Sequence, residues 1–360
     1  MSVFRPYVSI VIPVYNGSDY MREAIDSALA QTYDNIEVLV INDGSKDNGE
    51  TERIALSYGN KIRYFAKKNG GVASALNMGI FEMKGDYFSW LSHDDLYLPE
   101  KVEIQVNHLA TLSDKDTVVF SDYINVDEGN KDLYPVCMDH DLLNDKPMYA
   151  VFRGALHGCT LLIPRSAFIR VGTFNDLPTT QDYDLWFRMI RKFPFRHLPK
   201  ILVRSRLHPN QGSRQLDATA EANELWIRMM RSLTPLEISS LEKSQAVFFE
   251  EMAKYLATSP YTEALLYARE KVSASVVVHD KIYTENLKAD SFRKFYRRTR
   301  SGIKNRAKTL LMTIGMLDYI KTIRHRTARH DDKKSDLDNK RLEAVFVKTN
   351  KILLKLASGN

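Results

Sequence analysis

Residues 7–45 read YVSIVIPVYNGSDYMREAIDSALAQTYDNIEVLVINDGS, and the change of rhythm inside this stretch sets the fold. Tyr7 to Val14 is a β-branched apolar run reaching Pro13, a residue that cannot donate to a sheet ladder, and such a run reads as a buried parallel strand. From Ser18 through Tyr33 the apolar residues Met21, Ile25, Ala28 and Leu29 recur at helical spacing, with Ser18 or Asp19 as the N-cap. A second buried strand, Ile36 to Ile41, then runs out into Asn42-Asp43-Gly44-Ser45. The alternation continues with a helix at Asp47–Tyr58, a strand at Ile62–Phe65, an Asn-Gly-Gly loop, a helix at Val72–Met83 and a strand at Tyr87–Leu91 that meets His93-Asp94-Asp95. This order predicts an α/β fold with a doubly wound, mostly parallel sheet flanked by helices and joined by right-handed crossovers.

Ligands of such sheets sit beyond the C-terminal ends of the strands. Here those ends carry Tyr15-Asn16, Asn42-Asp43-Gly44 and His93-Asp94-Asp95. Past Pro99 the reading is a helix through Leu112, a strand at Thr117–Ser121 and a turn-rich stretch, then the segments Leu156–Ile163 and Leu177–Phe193. From Asp217 long helical patterns take over, at Glu221–Ser232, Leu236–Thr258 and Tyr261–Val272. The expected divisions are 1–215 for the nucleotide-binding domain, 216–290 for a helical region and 291–360 for a basic tail.

The 360 residues, 44% hydrophobic and 27% charged, suffice to bury at least one full core. The net charge of +6 conceals a segregation. Residues 291–360 hold 19 Lys+Arg against 6 Asp+Glu, a net of +13, and the remainder carries a net of −7. A basic end of this kind is expected to meet something anionic, while the acidic body argues against nucleic acid as the substrate. The start of the chain lacks the features of a secretory signal, and no stretch approaches the roughly 20 apolar residues of a membrane span, so the expectation is a cytoplasmic enzyme. The two cysteines, Cys137 and Cys159, have no zinc or disulfide spacing and read as ordinary buried thiols.

Asp94 and Asp95 close a strand, where paired carboxylates suit a hard divalent cation, Mn2+ or Mg2+, that also binds a diphosphate. The alternative is that Ser92 to Asp95 caps the helix leading to Lys101. Asp43 carries the same ambiguity, because Asn-Asp-Gly-Ser is also a common turn. Asp182, in TTQDYDLW with Thr180 as a helix cap, is placed to accept a proton from a hydroxyl nucleophile or simply to complement a helix N-terminus. His208, in RSRLHPNQ, is a candidate for metal or phosphate, set against an ordinary loop histidine.

In order and spacing these segments resemble the family 2 glycosyltransferases of GT-A fold, over about residues 6–213. The opening motif is similar to VSIVIPVYNG, the nucleotide-base contact to Asp43 in VINDGS and the donor loop to NGGVASALNMGI. The DxD-type metal motif resembles LSHDD, the acceptor-side motif resembles Gln181-Asp182 followed by YDLWFR, and the loop closing over the diphosphate resembles RLHPNQGS. The resemblance implies an inverting transfer from a nucleotide-sugar donor, with UDP-sugars first, to a hydroxyl of a glycan or lipid-linked saccharide acceptor. It implies Asp182 as base, Asp94 and His208 as metal ligands, and Pro13, Tyr15, Asp43, Asn69, Asn77, Asp94 and Asp95 around the donor. Three departures stand out. Ser92 occupies the place of the first acid of DxD, Gln181 that of the usual Glu, and Leu76 that of an Arg common in the donor loop.

Two rival readings remain, a non-catalytic scaffold on the same fold and a nucleotidyltransferase; the second leaves QDYDLW unexplained. Between Phe292 and Ile323, Arg and Lys alternate with Leu310-Leu311-Met312, Ile314, Leu317 and Ile320, the pattern of an amphipathic helix on an anionic membrane face, each basic residue contributing about 1 kcal/mol. The open alternatives are a partner-docking helix and a solvated bundle face. A membrane-seeking tail on a cytoplasmic enzyme suggests bacterial cell-surface polysaccharide or lipid-linked glycan assembly at the inner face of the plasma membrane. In liposome co-sedimentation with anionic vesicles, the full chain is expected to pellet and a chain ending near residue 290 to stay in solution; undiminished pelleting of the shorter chain removes the membrane role.

Overall fold

The run YVSIVIPV forms β1 (Val8–Val14), buried at every position as a strand covered on both faces must be. The computed structural model describes residues 4–209, 211 and 217–278; the expected basic tail, 291–360, lies outside them. Around β1 stand β2 (Ile36–Asn42), β3 (Arg63–Ala66) and β4 (Tyr87–Trp90), all parallel, in the order β3-β2-β1-β4. A short antiparallel strand, β8 (Ile163–Pro164), extends the sheet beyond β4. The β1–β4 ladder ends at Val11–Trp90, two residues before Pro13, so the missing N–H of Pro13 costs that ladder nothing. The intervening helices are α1 (Met21–Leu29), α2 (Glu50–Leu56) and α3 (Gly71–Glu82).

A second sheet has the order β5-β9-β6-β7, made of β5 (Leu96–Tyr97), β6 (Val118–Val126), β7 (Asp132–Val136) and β9 (Phe195–Arg206). A single bridge, Val119 to Leu162, links β6 to the residue just before β8. The sequence reading misses β9 because Pro199 and Lys200 interrupt its apolar alternation. The strand forms nonetheless by shifting its register on β6 twice, between Leu198 and Ile201 and again between Ile201 and Val203, extra residues being accommodated on one strand as in a bulge. Helix α4 (Lys101–Thr111) connects β5 to β6, with Glu100 as N-cap and no side-chain cap, so Ser92–Asp95 does not cap it.

Short helices α5 (His140–Asp145), α6 (Tyr149–Phe152) and α7 (Arg165–Val171) precede α8 (Gln181–Ile190). After them come α9 (Thr219–Ser232), α10 (Pro235–Leu241), α11 (Gln245–Leu256) and α12 (Thr262–Val278). The pattern read as one helix over Leu236–Thr258 is two, because Ser244 caps a new start by accepting from Val247 N. Ser18 and Asp19 likewise give way to Tyr20 as the N-cap position of α1. The later helices pack on the sheet-bearing part: Trp226 donates its indole N–H to Phe152 O at 3.0 Å, and the Phe152 and Phe248 rings lie 5.5 Å apart. Residues Met1–Val278 form one compact unit. Among the described residues no helix is long and apolar enough to cross a membrane. Cys159 is buried as expected, whereas Cys137 is exposed at the edge of the second sheet.

Lys101 is fully buried at the start of α4, donating to Ser89 Oγ and Gln105 Oε1, both at 2.9 Å, with its ammonium 4.1 Å over the Tyr97 ring. Desolvation drops its pKa to about 7. The unfolded chain therefore holds one more proton than the folded one between pH 7 and about 10, and stability rises with pH across that window by up to about 1.4 kcal/mol per unit. Urea unfolding from pH 7 to 9.5 is expected to show this slope in the wild type and to lose it in Lys101→Met; equal slopes in the two chains refute the assignment.

Candidate active site

The C-terminal ends of β1 and β2 build one wall of the crevice. Asp43 follows β2 directly and is 3% exposed. Its carboxylate accepts from Lys67 Nζ at 2.7 Å, Gly70 N at 3.0 Å and Gly71 N at 2.7 Å, while its carbonyl accepts from Asn69 Nδ2 at 2.9 Å. Asp43 thus pins the loop between β3 and α3 across the strand end. Gly44 makes that approach possible, since it has φ +71° and a Cβ there would fall 2.6 Å from Asn69 N. Pro13 is buried in β1, and Tyr15 just beyond it is 42% exposed. Asn77 stands apart from this group: its amide exchanges two hydrogen bonds with the Phe174 backbone, at 2.8 and 2.9 Å, tying α3 to the loop before α8.

The end of β4 supplies the carboxylates. Asp94 Oδ2 lies 3.0 Å from His208 Nε2, and among the described residues Asp94 Oδ1 accepts no hydrogen bond. Asp95 is more enclosed, its Oδ1 accepting from Arg206 N at 2.9 Å and its Oδ2 from Cys159 Sγ at 3.2 Å, with His157 Nε2 3.7 Å away. Burial, and then the Asp94 charge, raise Asp95 well above the usual carboxylate range. Burial depresses His157 to about 4, which keeps its imidazole neutral at physiological pH. Ser92, in the place of an acid, uses its backbone N–H on Cys159 Sγ at 3.2 Å.

Arg206 fixes the whole turn. It is 1% exposed, donates from Nε to Asp94 O, from Nη1 to Glu128 O and from Nη2 to Glu23, and lies 4.4 Å over the Tyr20 ring. The Tyr20 ring in turn packs 5.0 Å from His208.

The Asp94–His208 pair offers a hard carboxylate oxygen with a free lone-pair face and an imidazole nitrogen, a donor set that fits Mn2+ or Mg2+ completed by diphosphate oxygens. A softer trio stands beside it, since ligand atoms of Asp95, His157 and Cys159 lie within 4.8 Å of one another.

Asp182 occupies the first turn of α8 and is half-buried, accepting from Tyr183 N at 2.8 Å. Desolvation pushes its pKa up to about 6, the nearby Glu221 charge adding to the rise. Thr180 does not cap the helix through its side chain. Instead Glu221, from α9, accepts four hydrogen bonds from Thr179 and Thr180: 3.3 and 2.9 Å from their backbone N–H groups, 2.9 and 2.6 Å from their hydroxyls. Gln181 is buried, and its Oε1 has no partner among the described residues. The two acid sites are linked through neighbouring residues, because Tyr183 OH donates to Leu156 O at 2.8 Å and the next residue, His157, lies 3.7 Å from Asp95.

The sequence profile of "Glycosyl transferase family 2" matches residues 9–198. A glycosyltransferase of Rickettsia bellii is 51% identical over 296 residues, 78% of this chain and 43% of its own length. This chain belongs to glycosyl transferase family 2. It spans about half the length of the relatives from R. bellii, R. felis and R. conorii. Its fold is shared with S. aureus TarS 1–349 in complex with UDP-GlcNAc, at TM-score 0.57, 15% identity, 77% of this chain and 93% of that one. It is also shared with the mannosyltransferase PcManGT from Pyrobaculum calidifontis in complex with GDP-Man and Mn2+, at TM-score 0.50, 17% identity, 91% of this chain and 84% of that one.

For this family 2 chain, four residues of the crevice carry no signal in the linear sequence. Arg206, His157, Cys159 and Glu221 gain their roles from contacts across 40 to more than 100 positions, and only the proximity of Arg206 to His208 hints at one of them. Glu221→Gln keeps an acceptor for Thr180 and removes the charge that adds to the desolvation-driven rise at Asp182. The acid limb of donor turnover against pH is expected to move below 6 in this variant; an unmoved limb would separate Glu221 from Asp182.

Proposed function

We propose that the chain is an inverting glycosyltransferase that moves a sugar from a nucleotide-diphosphate donor, UDP-sugars first, to a hydroxyl of a glycan or lipid-linked saccharide. The observation that carries this reading is the half-buried Asp182, with its pKa raised to about 6 and held at the start of α8, joined through Tyr183, Leu156 and His157 to the Asp94–Asp95 turn. A carboxylate with a pKa near 6 is ionised at neutral pH and basic enough to take a proton from an attacking hydroxyl.

In this mechanism Asp182 removes the acceptor proton as the oxygen attacks the anomeric carbon, and the nucleoside diphosphate departs from the opposite face without a covalent sugar intermediate. Mn2+ or Mg2+ held by Asp94 and His208 would supply positive charge against the diphosphate as its negative charge develops. Asp95 orients the turn by accepting from the backbone N–H of Arg206 and from the Cys159 thiol. On the nucleoside side Pro13, Tyr15, Asp43 and Asn69 border the donor, with Asp43 facing the base. TarS bound to UDP-GlcNAc and PcManGT bound to GDP-Man and Mn2+ support a nucleotide sugar and a divalent cation on this fold.

Assembly of a bacterial cell-surface polysaccharide, at the inner face of the plasma membrane through residues 291–360, completes the proposal. The scaffold reading is weakened by the joint presence of Asp43, Asp94, Asp182 and His208.

Transfer is expected to rise with pH through about 6 and level off above it. Asp182→Asn should lower transfer by about 10^2 to 10^4-fold while UDP-sugar binding by calorimetry stays within a few-fold, and chelation should abolish turnover until Mn2+ or Mg2+ is restored. Wild-type turnover in Asp182→Asn would sink the base assignment.

A further inference from the structure

A cavity of about 320 Å3 lies beside the crevice, its lining including Tyr123, Met138, Asp139, Tyr149, Arg153 and Gly154. Its size is at the lower end of ligand pockets, which suits one or two sugar units. Two tyrosine rings and a methionine give it the apolar faces that sugar rings pack on, and Asp139 adds a carboxylate that already caps α5 by accepting from Leu142 N at 3.1 Å.

The cavity is tied to the chemistry by one strip of chain. Arg153 and Gly154 form part of its wall; two residues on, Leu156 O accepts from the hydroxyl of Tyr183, the neighbour of Asp182; then His157 faces Asp95 at 3.7 Å. Tyr123, on the same wall, packs its ring 4.8 Å from that of His157.

Arg153 is the cation of this lining. Its guanidinium sits 4.5 Å over the Tyr149 ring, which sets its plane, and it meets Glu251 only at 3.6 Å, beyond hydrogen-bond length. Among the described residues its guanidinium N–H groups donate no hydrogen bond, the backbone N–H alone being used, on Tyr149 O. A planar fork of donors held by an aromatic ring and loosely paired is built for a bidentate anion.

We propose that this cavity seats the acceptor glycan and that Arg153 reads an anionic group on it, a uronate or a phosphodiester. The proposal rests on the glycosyl-transfer reading above and names the acceptor class for it.

Cys137 lines the cavity and is exposed, whereas Cys159, the one other cysteine of the chain, is buried. Maleimide labelling of the full-length protein therefore reports on the cavity without requiring turnover. The probes are a glucuronate-containing tetrasaccharide, a ribitol-phosphate tetramer and a neutral N-acetylglucosamine tetramer. One of the anionic probes is expected to slow Cys137 labelling at least fivefold, and which one does so tells a uronate from a phosphodiester. The neutral probe should leave the labelling rate unchanged. Arg153→Gln should lose the protection, and Arg153→Lys should keep part of it. Equal protection by the neutral probe, or protection that survives Arg153→Gln, overturns the role of Arg153; protection by none of the three overturns the cavity as acceptor site. Donor hydrolysis by the wild type, measured alongside, tests the parent reading separately: its absence overturns glycosyl transfer even where Cys137 is protected.

Discussion

A guanidinium taken almost wholly out of water at the end of β9 holds the candidate site together. Moving such a group into the interior costs several kcal/mol unless acceptors surround it. Arg206 meets that cost with the carbonyls of Asp94 and Glu128, the carboxylate of Glu23 and the face of Tyr20. Its own backbone N–H goes to Asp95. Four separate segments, namely α1, the turn after β4, the turn after β6 and the end of β9, are thereby fixed relative to one another. The two aspartates owe their positions to this bond set more than to the strand that delivers them.

The same logic explains what could be read in advance. Strands β1 to β4 announce themselves because a parallel strand covered on both faces must be continuously apolar, and the polar residues that follow each one stand out by contrast. Asp43 and Asp94 are visible for that reason, and Asp182 by its place at the start of a helical pattern. β9 is not, because Pro199 and Lys200 break its alternation and only pairing with β6 restores it through register shifts. Cys159 looks inert in sequence, since nothing near it has ligand spacing; the fold brings it to Asp95 across 64 positions. Asn77 sits in a motif suggestive of donor contact, yet its amide is engaged with Phe174. Local pattern identifies where chemistry can occur, and long-range hydrogen bonds decide which atoms remain available for it.

Residues 153–159 run through all of this as a single ribbon. Within seven residues the chain passes from the cavity wall at Arg153 to the tyrosine beside the proposed base and on to the buried thiol at Cys159. Its close passage depends on Gly158, where a Cβ would come within 2.4 Å of the Trp90 ring. A shift of this ribbon would disturb the carboxylate turn and the start of α8 together, which couples the two through packing.

The anchoring of Thr179 and Thr180 by Glu221 has a consequence for how this protein is divided. The family match ends at residue 198, yet the carboxylate that secures the start of α8 comes from α9, beyond it, and α9 is itself held by Asn223 accepting from Ala264 N at 2.9 Å. A chain cut at the family boundary would retain Asp43, Asp94 and Asp182 but lose both His208 and the brace at the start of α8. Exchange of catalytic domains between relatives would then transmit acceptor geometry only if the helices up to about residue 278 travelled with the domain, so the heritable module is larger than the recognisable one.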